Sequence, residues 1–470
     1  MQSQTSRLAI SFWALLLVIF AIWNGNAQAH RLKGSDASAD ALLVWRGAED
    51  FSAGVLRGMR LDPDGSLAWS DSLPPREYGN SATPLPYHVY MSPEVKLPFP
   101  ATEFLPSWNV EFDTAQMGFA VDLRFRWAAD PSEPGASNSQ PTTHNPQLAC
   151  SSPSTWSAWY DLGTDGTDDP TSPPLMMKDS FVLVDDDYVI ANQPAVAIQW
   201  RIRFWKGSAF GDTTTSASTA TTATPSSRAE EFVRWASRPR LRHFALAAAN
   251  PVMPPAEVMP NAKRVEMRRQ LLADLPAAPS KVNSGALTLD LARVPWRTQV
   301  IGPPLEDYIC CPTSVSIVKE YFGDSCPTTD VAARAFDRRA GIYGCWPRAA
   351  QVLSESGLDT WVERFRSLDE AEPYFRLGLP IIVSLQIRKG DLEEAPNYDT
   401  GGHIIVLRGI DADGRILVSD PGRSKRENGF RAYKREGIQR VWINRGGVGI
   451  IGAPHEWHLP RPYCFLEGGK

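Results

Sequence analysis

Positive charge is in short supply in this 470-residue chain, with 48 Lys and Arg against 53 Asp and Glu and a formal net charge of −5. Nucleic-acid binding needs a basic face that displaces counterions, so no such role is expected. There is no glycine-rich phosphate loop closed by Lys-Ser or Lys-Thr, which removes that route to nucleotide-driven work. Histidine is also scarce, seven in all, which narrows any search for a general base. Only one long apolar run occurs, Leu8–Trp23, and nothing after it approaches the roughly 20 residues of a bilayer span. Cysteines number six: Cys150, Cys310, Cys311, Cys326, Cys345 and Cys464. If one of them serves as a free thiol, an odd number remains and a complete disulfide framework is excluded, although a Cys326–Cys345 bridge stays open. No cofactor and no metal are expected.

The N-terminus has the order of a secretory signal: Arg7, the apolar run, a polar break at Asn24-Gly25-Asn26, then Ala27-Gln28-Ala29. Cleavage is expected after Ala29, which makes the mature chain secreted or periplasmic. The alternative is an uncleaved membrane anchor.

Two units follow, as the length suggests. From 40 to 249 short apolar and polar residues alternate, as in Val121-Asp122-Leu123-Arg124-Phe125-Arg126-Trp127 and Trp200-Arg201-Ile202-Arg203-Phe204-Trp205. Period-two alternation rich in aromatics predicts half-buried antiparallel strands and an all-β sandwich. Asp130–Gln147 and Thr213–Arg228, poor in large apolar residues, read as loops between strands. Residues 250–290 read as a Pro-rich linker with a charged helix at Ala262–Leu275. From 291 to 455 the texture becomes α+β, with a tail at 456–470. Helices are predicted at Cys311–Phe322, Thr328–Arg339, Pro347–Ser356 and Leu368–Leu377, with strands at Ile381–Leu385, His403–Leu407 and Ile416–Ser419.

In that second unit Tyr308-Ile309-Cys310-Cys311-Pro312 puts a thiol at a helix start, with Pro312 in the first turn. The positive end of the helix dipole and the unpaired amides there favour thiolate, although a free cysteine is as often an inert core residue. Three histidines lie in this region: His403, His455 and His458. His403 opens a strand directly after Gly401-Gly402, and Asp420 ends the next strand, an arrangement that can orient an imidazole. Asp420-Pro421 also reads as an ordinary turn. Gln299 stands eleven positions before Cys310 and on its own is only a loop glutamine. His455-Glu456-Trp457-His458 with Cys464 lacks the spacing of a zinc site, and Asp185-Asp186-Asp187 reads as a solvated turn.

Gln299, Cys310-Cys311-Pro312-Thr313-Ser314 with the helix closing at Tyr321-Phe322-Gly323, Gly402-His403-Ile404-Ile405-Val406 with Gly409-Ile410-Asp411, and Val418-Ser419-Asp420-Pro421 occur in this order. Together they make the region resemble the peptidase C39-like domain of the papain-like superfamily. The resemblance implies a papain-like fold in which Cys310 attacks a carbonyl, His403 takes and returns the proton, Asp420 orients His403 and Gln299 lines the oxyanion hole. Cys311 departs from the small residue common at that position, so a Cys310–Cys311 disulfide is an inactive alternative. The β-domain is similar to the sandwich that often precedes exported domains of this kind, with Leu105-Pro106-Ser107-Trp108-Asn109 and Trp156-Ser157-Ala158-Trp159-Tyr160 as matching pieces. Those aromatics serve either core packing or contact with carbohydrate or a cell surface. The expected function is that of an exported cysteine peptidase acting on a peptide or protein substrate. A thiol amidase or acyltransferase acting on cell-wall amides, and an inactive binding protein on the same scaffold, are the alternatives.

Overall fold

A computed structural model describes residues 39–70, 76–77, 86–127, 156–166, 179–185, 188–206, 239–252, 259–273, 289–393, 395, 399–422, 427–457 and 463–464. The N-terminal signal, both loop tracts, Cys150, His458, and Asp186 with Asp187 lie outside the described residues. Among those described, no helix is long and apolar enough to cross a membrane.

The first unit runs β1 (Ala39–Arg46), α1 (Gly47–Ser52), β2 (Val55–Arg57), β3 (Met59–Leu61), β4 (Leu67–Trp69), β5 (Arg76–Glu77) and β6 (Pro86–Met91). It continues with β7 (Val95–Glu111), β8 (Met117–Trp127), β9 (Tyr160–Gly166), β10 (Val182–Asp185), β11 (Tyr188–Lys206) and β12 (Arg240–Asn250). The alternating segments are strands as expected, and β8 pairs antiparallel with β11, Leu123 opposite Trp200. The strands belong to one hydrogen-bonded network rather than to two separate sheets. The reason is length. β7 and β11 have 17 and 19 residues, and irregularities in their pairing let each serve different neighbours along its course. Trp108 is buried in the core, and the guanidinium groups of Arg124 and Arg201 stack on Trp159 at 4.6 and 4.4 Å. These aromatics are engaged by the protein itself.

The second unit comprises α2 (Asn261–Leu272), β13 (Leu289–Asp290), α3 (Cys310–Tyr321), α4 (Thr328–Ala335), α5 (Trp346–Ser354), β14 (Leu358–Arg364) and α6 (Glu372–Arg376). After these come β15 (Ile381–Ile387), β16 (Thr400–Ile410), β17 (Ile416–Ser419), β18 (Phe430–Tyr433), α7 (Arg435–Val441) and β19 (Val448–Pro454). A last short strand, β20 (Tyr463–Cys464), returns to pair with β1 of the first unit. Antiparallel pairing gives the sheet order β14-β19-β15-β16-β17-β18, with β13 beside β16. Helices α3 and α5 pack with this sheet around one apolar core. The architecture is therefore mostly β, then α+β. Strand β19, between β14 and β15, escapes the sequence pattern because glycines interrupt it. They are there for closeness: a Cβ on Gly449 would stand 2.7 Å from the Phe365 ring.

The two units share a buried seam. Asn109 on β7 exchanges hydrogen bonds with Thr360 on β14, and Gln351 on α5 does the same with the backbone of Val110. Ser107 Oγ accepts from Val362 N at 3.1 Å. Arg364 pairs with Glu103, and Arg366 with Asp40 at 2.6 Å. Leu42, Val44, Leu105, Ala245 and Ala247 of the first unit belong to the same apolar cluster as the core of the second.

Helix α2, expected as a charged linker helix, is part of this packing. Arg264 and Arg268, one turn apart on one face, are buried and bind Glu370. Arg268 also holds Glu363 at 2.7 Å and the Arg364 carbonyl at 2.9 Å.

Candidate active site

Cys310 is the first residue of α3, preceded by the fully buried Ile309. The helix is held at this end by Thr313, whose amide and hydroxyl both donate to the Ile309 carbonyl. One turn along, Ser314 Oγ donates to Ile404 O at 3.0 Å, which ties the helix to the strand carrying His403. Cys311 turns the other way, fully buried in the core. The two neighbouring thiols are thus separated by the helix itself: one faces the site and the other fills the interior. Cys310 and Cys326 are free thiols, so neither the Cys310–Cys311 nor the Cys326–Cys345 bridge is formed.

His403 lies near the start of β16 and Asp420 directly follows β17. Because these strands are antiparallel neighbours, with Val406 opposite Ser419, the two residues come to the same end of the sheet. His403 Nε2 and Asp420 Oδ1 are 2.9 Å apart, both side chains buried. That bond leaves Nδ1 for the hydrogen bond between His403 and Cys310. The three sequence candidates therefore form one line, thiol to imidazole to carboxylate.

The electrostatics follow from that line. Burial pushes the Cys310 thiol up, but the hydrogen bond and charge of His403 and the amides of Ile404 and Cys311 outweigh it and hold the thiol below its ordinary value. Burial alone would lower His403, yet the Asp420 charge and the bonds to Asp420 and Cys310 raise it to about 10. Burial opposes the charge on Asp420, while His403, the Gly422 amide and the Tyr433 hydroxyl hold its carboxyl below the usual range. Both shifts favour a thiolate beside an imidazolium.

The carboxylate is anchored more thoroughly than its sequence suggests. Gly422 N donates to Oδ1 at 2.9 Å, so the turn expected at Asp420-Pro421 is present as well. Buried Tyr433 on β18 donates its hydroxyl to Oδ2 at 2.9 Å. Trp296 Nε1 donates to the Asp420 carbonyl at 2.7 Å, reaching it over Gly429, where a Cβ would meet that nitrogen at 1.8 Å. Sequence reading found none of Tyr433, Trp296 or Gly429, since a lone aromatic or glycine carries no pattern.

Gln299 is buried and near the site: its amide donates to Pro421 O, next to Asp420, at 2.9 Å. Its side-chain Nε2 donates to Glu306 O at 2.6 Å, which fixes the amide orientation and leaves one N–H of that group. Oε1 is buried with no hydrogen-bond partner among the described residues. Directly before His403 the chain has two residues without side chains. Gly401 and Gly402 are exposed, and a Cβ on Gly402 would meet no atom within 4 Å.

This arrangement can attack an acyl carbon and protonate a leaving group. Residues 290–450 match the family model described as the Peptidase_C39 like family. Residues 290–450 form a peptidase C39-like domain. No curated protein and no solved structure matches the chain. The family is of cysteine-peptidase type, and its matched span contains Gln299, Cys310, His403 and Asp420. His455, outside the C39-like match, instead bonds Asp359 at 2.9 Å through Nδ1. Among the described residues no group of three or more His, Cys, Asp or Glu is disposed to hold a metal ion.

Proposed function

We propose that the protein is an exported cysteine peptidase with a papain-like catalytic domain. The observation that carries this reading is the line from half-buried Cys310, at the first turn of α3, through His403 to Asp420. In the proposed reaction the Cys310 thiolate adds to the scissile carbonyl, with the oxyanion received by the Cys310 amide and the remaining Gln299 N–H. His403 gives its proton to the leaving amine, and the C–N bond breaks to leave a thioester. Water, deprotonated by His403, then releases the acid and restores the thiolate. Asp420 keeps the imidazole in the tautomer and orientation that both transfers need. The order of residues 7–29 supports export.

The test is labelling of the mature protein with iodoacetamide between pH 5 and 9, mapped by mass spectrometry, with His403→Ala alongside. Cys310 should label fast well below the reference thiol value of about 8.5, and the variant should be about 100-fold slower at pH 6. Equal rates in the two proteins would remove the activated nucleophile and the peptidase reading with it.

A further inference from the structure

Seven large hydrophobic side chains are exposed among the described residues. Three of them, Val300 (41 %), Ile301 (45 %) and Tyr308 (59 %), fall between Gln299 and Tyr308. Single exposed hydrophobics are ordinary, whereas a cluster marks a surface that meets something apolar.

The loop that carries them is built, not slack. Gln299 N is tied to Pro421 O, Gln299 Nε2 to Glu306 O, Gly302 N to Glu306 Oε2 at 3.1 Å, and Tyr308 N to Leu305 O at 2.9 Å. One end is thus pinned beside Asp420. The other runs through buried Ile309 into Cys310, so the Tyr308 and Cys310 backbones are at most about 7 Å apart. Within the same loop, Gln299 is only 8 % exposed and its Oε1 has no donor. A buried acceptor in that state calls for an N–H from a ligand, and a substrate backbone amide carries one. Exposed Gly402, directly before His403, has open space where a side chain would stand, which leaves room there for a substrate backbone.

We propose that Val300, Ile301 and Tyr308 form an apolar wall of the substrate cleft beside Cys310. The substrate is then a peptide-like amide with a large aliphatic or aromatic group next to the scissile bond. This rests on the reading of Cys310 as nucleophile, and the experiment separates the two.

Second-order rates of Cys310 alkylation are measured with iodoacetamide, N-butyl-iodoacetamide and N-(2-phenylethyl)iodoacetamide; in each the thiolate displaces iodide and forms an S–C bond. Each rate is divided by that of glutathione with the same reagent, which removes intrinsic reactivity. The normalised rate should rise about tenfold from the first reagent to the last. The rise should vanish in the Val300→Ser, Ile301→Ser, Tyr308→Ser triple variant. Tyr308→Ser alone, at the most exposed position, should erase the advantage of the phenylethyl over the butyl reagent. A flat wild-type series with fast plain iodoacetamide would overturn the wall and leave the nucleophile standing. Slow iodoacetamide labelling with a preserved rise would do the reverse.

Discussion

The molecule buries charge in two places: under helix α2, and at the start of helix α3. In the first, Arg264, Arg268, Glu363, Glu370 and Asp40 are all buried, and Arg264, Arg268, Glu370 and Asp40 each meet two opposite partners. Arg264 and Arg268 hold the Glu370 carboxyl below its usual range against the opposing effect of burial. In the second, Asp420 and His403 are equally deep, but the line ends at half-buried Cys310, and exposed glycines precede His403. Burial and charge are common to both; an open end is not. A network whose members are all enclosed specifies structure, and one that reaches solvent through a nucleophile has chemistry to offer.

The sharpest way to break this contrast is Arg268→Leu. Removing one partner from a buried ion network should cost about 3–5 kcal/mol of stability by urea unfolding. The Cys310 alkylation rate of the folded variant should stay at the wild-type value. A parallel fall in both would mean that the two clusters are one system.

Asp420→Asn probes the open line, with an expected loss of about 2–3 kcal/mol near pH 6 from its charge-assisted bonds. The loss depends on pH with a definite sign. His403 is raised from 6.5 to about 10, so the stability from its charge is complete below 6.5 and is lost as pH rises through 10. Asp420 is lowered from 3.8, so its share is complete above 3.8 and is lost as pH falls through the depressed folded value. The difference between wild type and variant should therefore be greatest between these limits and shrink from pH 6.5 towards 10. A difference that stays constant to pH 10 would deny that the imidazole is charged.

The smallest expected effect is that of Tyr433→Phe. It removes a hydrogen bond to Oδ2, whereas His403 binds Oδ1. Unfolding should show a loss of about 1.5 kcal/mol with only a minor change in Cys310 labelling. A collapse of labelling would place Tyr433 among the residues that set the imidazole.

The line of Cys310, His403 and Asp420 was legible in the sequence because each of the three sits at a punctuation mark. Cys310 precedes a helix with proline in its first turn, His403 follows two glycines, and Asp420 closes a strand before proline. The helices at Cys310, Thr328 and Trp346, and the strands at Ile381, His403 and Ile416, are present near their expected bounds. Besides glycine-broken β19 and the lone aromatics around Asp420, what stayed hidden has a common cause, since its polar residues are buried. β14 reads Leu-Asp-Thr-Trp-Val-Glu-Arg, and every residue of it is buried because the polar ones meet partners within the unit or across the seam. Arg264 and Arg268 of α2 likewise lie inside, although their spacing marks an ordinary solvated helix. A single sequence shows polarity but not the partner that neutralises it.

The seam has a practical consequence for anyone cutting the gene. The family match begins at residue 290, an inviting place to start a minimal fragment. A chain begun there would strip Glu363 and Glu370 of both arginines, Arg366 of Asp40, Arg364 of Glu103 and Thr360 of Asn109. It would also bare the apolar surface that Leu42, Leu105 and Ala245 now cover. The unit of inheritance and the unit of folding are different lengths of this chain, and the shorter one should be recovered as aggregate rather than as a working fragment.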